Sequence, residues 1–267
     1  MKQGGIILDG RRLETAQWGP SPSDAPTIVL LHEGLGSVTL WRDIPERLAT
    51  ETGLAVFAYS RFGHGRSDPV TLPRPMRYMH DEALIVLPRV LDAADIRRAV
   101  LVGHSDGGSI AAIHAGVTRD PRVQGIVLIA AHFFVEDLNI QAIERIRAAY
   151  ETSDLRDKMA RHHDDPDNTF RGWNDAWLDP RFRDFDITAC LDTIAVPVLG
   201  LQGAEDPYGT PAQLDALTRH VTAPLETRLI PGARHAPHFE AKEETLAAIA
   251  AFVHAILPAS PSWKPAA

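Results

Sequence analysis

The residues best placed to do chemistry stand together at Gly103-His104-Ser105-Asp106-Gly107-Gly108. The apolar run Ala99-Val100-Leu101-Val102 leads into this G-x-S-x-G pattern and Ser109-Ile110-Ala111-Ala112-Ile113 leads out of it, which predicts a strand, a sharp reversal and a helix. Such a turn lifts a serine hydroxyl above the end of a sheet, and Gly103 and Gly107 leave bare backbone where side chains would collide. The helix start adds a partial positive charge and free N–H groups where an oxyanion would develop. A serine hydroxyl is a weak nucleophile at neutral pH and needs a base. Among twelve histidines His235 stands apart, because it follows the strand-like Leu225–Ile230 through Pro231-Gly232-Ala233-Arg234 and precedes the last helical stretch. His238, three residues on, competes with it.

The frame that must position these groups is legible in the rest of the chain. Two apolar runs flank Asp9-Gly10, a favoured hairpin turn, so the chain opens with an antiparallel pair. Buried-type strands follow at Thr27–Leu31, Leu54–Tyr59, Ala99–Val102, Gly125–Ile129, Val196–Leu201 and Leu225–Ile230. Helical stretches lie at Leu40–Thr50, Met76–Ala94, Gly108–Val117, Pro211–His220 and Ala241–Ile256. This alternation predicts an α/β fold with a mainly parallel sheet covered by helices on both faces. Residues 133–190 break the rhythm with helical pieces and aromatics (Phe170, Trp173, Trp177, Phe182, Phe185), and read as an inserted helical lid. The aromatics either line a pocket, with Trp173, Trp177 and His132 as candidates, or glue the insertion to the core.

At this point a resemblance is plain. The order strand, G-x-S-x-G, insertion, acid, histidine, final helix resembles the α/β-hydrolase superfamily over nearly the whole chain. Gly232-Ala233-Arg234-His235-Ala236-Pro237-His238-Phe239-Glu240 is similar to the family's G-x-x-H-x-P-x-x-E stretch, whose first histidine is catalytic, and this selects His235 over His238. Leu201-Gln202-Gly203-Ala204-Glu205-Asp206-Pro207 resembles the family's acid loop, which implies Asp206 as the residue orienting the imidazole; Glu136 and Asp137, beyond an earlier strand, are its rivals. Leu31-His32-Glu33-Gly34-Leu35-Gly36-Ser37 resembles the family's His-Gly loop, with Glu33 where glycine is usual. The oxyanion hole is therefore expected to use the N–H of Gly34, or else of Leu35, together with that of Asp106. The Asp106 side chain is expected to favour its helix by charge–dipole attraction, with direct contact to substrate as the alternative. Tyr59-Ser60-Arg61-Phe62-Gly63-His64-Gly65-Arg66-Ser67 is similar to the family's D-x-x-G-x-G-x-S turn with Ser60 replacing the acid, so His64 reads as a structural loop residue. His162-His163-Asp164-Asp165 reads as solvated surface rather than a metal site.

The expected function is hydrolysis of a small carboxylic ester, lactone or thioester through an acyl-enzyme on Ser105. Hydrolytic C–C cleavage of a dienoate-type substrate and non-catalytic ligand binding are the alternatives. No P-loop or dinucleotide fingerprint appears, so neither cofactor nor metal is expected. A net charge of −8 argues against nucleic acid as a partner and leaves a small molecule as substrate. With 45 % hydrophobic and 23 % charged residues, the 267-residue chain has a globular composition that needs no disulfide. A single cysteine, Cys190, and the lack of a signal-like N-terminus or spanning segment suggest the cytoplasm. The core domain is expected over 1–132 and 191–258, with a flexible tail over 259–267.

Overall fold

Asp9 and Gly10 take φ of 51° and 75°, the left-handed values that turn β1 (Lys2–Leu8) back into β2 (Arg11–Trp18). The structure, a computed structural model, describes residues 1–257; the tail expected over 259–267 lies outside the described residues. Six more strands complete one sheet: β3 (Thr27–Leu31), β4 (Ala55–Tyr59), β5 (Ala99–His104), β6 (Val123–Ile129), β7 (Val198–Gly203) and β8 (Leu225–Ile230). Their order is β1-β2-β4-β3-β5-β6-β7-β8. The pairs β1–β2 and β2–β4 are antiparallel and all others parallel.

Every residue of β3, β4, β5 and β7 is buried, as continuous apolar runs require when both sheet faces are covered. Successive side chains feed opposite cores. Val29, Leu31, Leu101, Ile126 and Leu128 enter one, while Ile28, Leu30, Val100, Val102, Val127 and Ile129 enter the other. Each such burial stabilises the fold by about 1.5–3 kcal/mol. The helices in chain order are α1 (Ile44–Thr52), α2 (Tyr78–Asp81), α3 (Leu87–Ala93), α4 (Asp106–Thr118), α5 (Asp137–Thr152), α6 (Leu155–Met159), α7 (Pro166–Trp177), α8 (Thr188–Leu191), α9 (Ala212–His220), α10 (Pro237–Glu240) and α11 (Lys242–Ile256). The single helix expected over Met76–Ala94 is divided, because a π-helical turn at Glu82–Val86 joins α2 to α3. Val196 stays outside β7, which starts after Pro197, a residue without an N–H to give the ladder.

Helices α5 to α8 fill the segment between β6 and β7. Its two ends meet at an isolated bridge between Phe134 and Asp186, reinforced by Ile187 N–H donating to Phe133 C=O at 2.7 Å. Entry and exit lie side by side, so this segment leaves the pairing of β6 with β7 undisturbed.

Candidate active site

Ser105 joins β5 to α4 with φ 52° and ψ −119°, a left-handed conformation that costs a non-glycine residue on the order of 1–3 kcal/mol. Its N–H donates to Ile129 C=O at 2.8 Å, and its C=O accepts from Gly108 N–H at 2.8 Å. A Cβ at Gly103 would overlap the Gly107 carbonyl, and one at Gly107 would overlap that of Leu31, so both glycines are sterically required. The strained turn is thus over-determined by its surroundings.

His235 and Asp206 meet from the loops beyond β8 and β7. Both carboxylate oxygens of Asp206 lie 2.9 Å from His235 Nδ1. Tyr208 N–H donates to Oδ1 at 2.8 Å and Gln202 Nε2 to Oδ2 at 3.4 Å. Burial opposes ionisation of Asp206, but its hydrogen bond to His235 and the attraction of that ring hold the carboxyl below the usual range. The acceptor at Nδ1 puts the ring proton there and leaves Nε2 with a free lone pair. His104 Nε2 lies 2.8 Å from His235 C=O and fixes that loop from below. His238 is turned elsewhere: it packs on His104 and Trp41 with centroids 4.6 and 5.5 Å away, and burial pushes its pKa down to about 3. Glu136 caps α5 and accepts from Thr210 and Gln213, while Asp137 pairs with exposed Arg183.

The loop after β3 is gripped by its carbonyls. Arg61 donates to His32 C=O at 2.7 Å and to Glu33 C=O at 3.0 Å. His64 Nε2 faces Gly34 C=O at 3.0 Å, and His163 Nε2 faces Leu35 C=O at 2.9 Å. His163 Nδ1 accepts from Gly65 N–H, so Nε2 carries the proton and donates. The solvated-surface reading of His163 is therefore corrected: it is buried, and only tertiary contact could have revealed this. The Leu35 N–H is spoken for as well, since the Glu33 side chain folds back and its carboxylate accepts that donor. Gly34 N–H has no partner among the described residues. Asp106 N–H heads α4, where no intrahelical carbonyl precedes it. At the other end of the loop Ser60 Oγ donates to Glu14 Oε2 at 2.7 Å, so an acid on the neighbouring strand β2 supplies what Ser60 lacks.

Residues 23–242 match the family model described as serine aminopeptidase, S33. The chain belongs to that family of α/β-hydrolases. It is 30 % identical to a non-heme chloroperoxidase of Burkholderia pyrrocinia, over 71 % of this chain and 77 % of that one. It is 26 % identical to a bifunctional esterase/perhydrolase of Acinetobacter calcoaceticus, over 74 % and 80 %. The crystal structure of proline iminopeptidase from Mycobacterium smegmatis superposes with a TM-score of 0.73 at 20 % identity, over 95 % and 98 % of the two chains, a likeness of fold. The protein is thus an enzyme of the hydrolase class.

In this α/β-hydrolase Ser105 and His235 open into one cavity of about 310 Å³, whose lining also includes Gly34, His132, Trp173 and Trp177. Trp173 lies so close over Gly34 that a Cβ there would overlap the indole. Trp177 is tied from beneath, its Nε1 donating to Asp106 Oδ1 at 3.3 Å. Tyr78 OH donates to Asp106 Oδ2 at 2.6 Å; burial and then the Asp106 charge raise the phenol's pKa, so it stays protonated. The Asp106 carboxylate is therefore more than a helix-dipole partner, because it joins α2, α4 and α7. Phe182 and Phe185 stack on each other inside the insertion, with centroids 4.9 Å apart, and Phe170 stacks on Tyr150. Among the described residues no three His, Cys, Asp or Glu side chains form a group that would hold a metal ion. No helix among them is long and apolar enough to cross a membrane.

Proposed function

We propose that the protein is a serine hydrolase that cleaves small carboxylic esters, lactones or thioesters through an acyl-enzyme on Ser105. The observation that carries this reading is the strained Ser105 turn sharing one cavity with a histidine whose Nδ1 is held by a buried carboxylate. His235 Nε2 takes the Ser105 proton as Oγ attacks the acyl carbon, and Asp206 holds the ring and stabilises the imidazolium. The N–H groups of Gly34 and Asp106 receive the oxyanion. The imidazolium then protonates the leaving group, and water activated by the same ring releases the acid. A cavity of about 310 Å³, lined largely by aromatic and aliphatic side chains, suits a small acyl substrate.

A second reading, cleavage beside a free amine as the family description suggests, is favoured by one residue. The half-buried Glu33 carboxylate lines the cavity and pairs with no cationic side chain among the described residues. One experiment tests both. A fluorophosphonate probe is expected to label wild type at Ser105, and Ser105→Ala to lose labelling and turnover while staying folded. A panel of esters, lactones, thioesters, dienoates and an aminoacyl p-nitroanilide then ranks the substrate classes. Labelling at another residue, or Ser105→Ala turnover within a few-fold of wild type, would sink the proposal.

A further inference from the structure

The peptide joining Glu33 to Gly34 carries the N–H that the proposed oxyanion hole needs. A trans peptide is planar, with its C=O and N–H pointing in opposite directions. Whatever fixes the Glu33 carbonyl therefore aims the Gly34 N–H. Two donors fix it: His32 Nδ1 at 2.7 Å and Arg61 Nη2 at 3.0 Å. His32 Nε2 accepts the Arg61 backbone N–H at 3.0 Å, so the proton sits on Nδ1 and that nitrogen donates.

Arg61 does more than double this bond. Its Nη1 donates to His32 C=O at 2.7 Å, so one planar fork spans two successive carbonyls of the loop. Its Nη2 also lies 3.7 Å from Asp106 Oδ2, and Asp106 carries the second oxyanion N–H. Arg61 as a whole is only 2 % exposed, and its Nε has no hydrogen-bond partner among the described residues. Burying such a cation is costly unless its remaining contacts compensate. Its own turn does not depend on that head group, because Ser60, Ser67 and Glu14 bond the turn among themselves.

We infer that Arg61 is a positioning residue of the oxyanion hole, aiming the Gly34 N–H through the Glu33 carbonyl and tying that loop to Asp106. This rests on the acyl-enzyme reading. A lysine in its place keeps the charge but donates from a single point and cannot span both carbonyls.

The test compares wild type, Arg61→Lys and Arg61→Gln on the best ester of the panel, with a boronic acid as an analogue that places an oxygen in the hole. Both variants are expected to lose at least about 10-fold in kcat, toward the 10²–10³-fold loss typical of a deleted oxyanion donor. KM should stay within about 3-fold, and boronate affinity should fall roughly as far as kcat, since the interaction is made only in the transition state. If Arg61→Gln does not fold, Arg61→Lys decides. A folded variant with kcat within about two-fold of wild type, or with kcat reduced but boronate affinity retained, overturns the inference. Fluorophosphonate labelling of wild type at Ser105 is scored separately, so failure of the acyl-enzyme reading is distinguishable from indifference to Arg61.

Discussion

Asp206 illustrates what a single side chain contributes here. Its two oxygens face the same imidazole nitrogen, and Tyr208 N–H and Gln202 Nε2 occupy the lone pairs that remain. With an amide there, a donor would face Nδ1–H in one rotamer, and the ring would be driven toward the tautomer that cannot accept the serine proton. Asp206→Asn is therefore expected to lower kcat by as much as roughly 10⁴-fold with little change in folding. Glu136→Gln and Asp137→Asn should each stay within a few-fold, because those carboxylates serve α5 and Arg183. Steady-state kinetics on all three variants checks this, and a collapse confined to Glu136→Gln or Asp137→Asn would move the acid to the earlier strand.

At the scale of elements, α7 presents two tryptophans with different duties. Both line the cavity, but Trp173 covers Gly34, whereas Trp177 is 2 % exposed and bonded to Asp106 and Tyr78. Trp173→Ala should thus shift relative kcat/KM along an acyl-chain series, each methylene counting for about 1–3 kcal/mol in an apolar pocket. Trp177→Ala should instead cost about 3–5 kcal/mol of stability, as expected for emptying a buried aromatic site. Chain-length profiles and urea unfolding of the two variants separate these outcomes; identical behaviour would mean that α7 acts as one undivided wall. His163 binds the same insertion to the loop after β3, which makes the insertion part of the site's frame.

Over the whole molecule, six histidines are buried around the site. His32, His64, His104, His132, His163 and His238 all have pKa values lowered chiefly by burial, to about 4 for His163 and about 3 for His238. Well above pH 6.5 each is neutral both folded and unfolded, and stability does not depend on it. Below pH 6.5 the unfolded chain gains a proton that the folded chain refuses, so each histidine removes up to about 1.4 kcal/mol per pH unit until its folded pKa is reached. Glu33 and Glu82, raised by burial, act in the opposite sense but are outnumbered. Urea midpoints are expected to be level from pH 8 to 7 and to fall steeply from 6.5 to 5. A midpoint that holds or rises across that window would contradict the burial of these rings.

What the chain determined by itself was the local grammar. Continuous apolar runs specify strands buried on both faces, Asp9-Gly10 specifies the hairpin, and the glycines around Ser105 specify a reversal that only bare backbone can make. The resemblance to the family's acid and histidine loops singled out Asp206 and His235, and the two lie within bonding distance because parallel strands deliver their following loops to one edge of the sheet. Other features had no local signature. The charged run at 162–165 does not distinguish a buried His163 from a solvated one. The grip of Arg61 on two carbonyls, the substitution of Glu14 for the acid that Ser60 lacks, and the contacts of Trp173 and Trp177 likewise depend on partners at least 28 residues away. Hydrogen bonds across such separations depend on how loops pack once the sheet exists, and only the tertiary structure decides that.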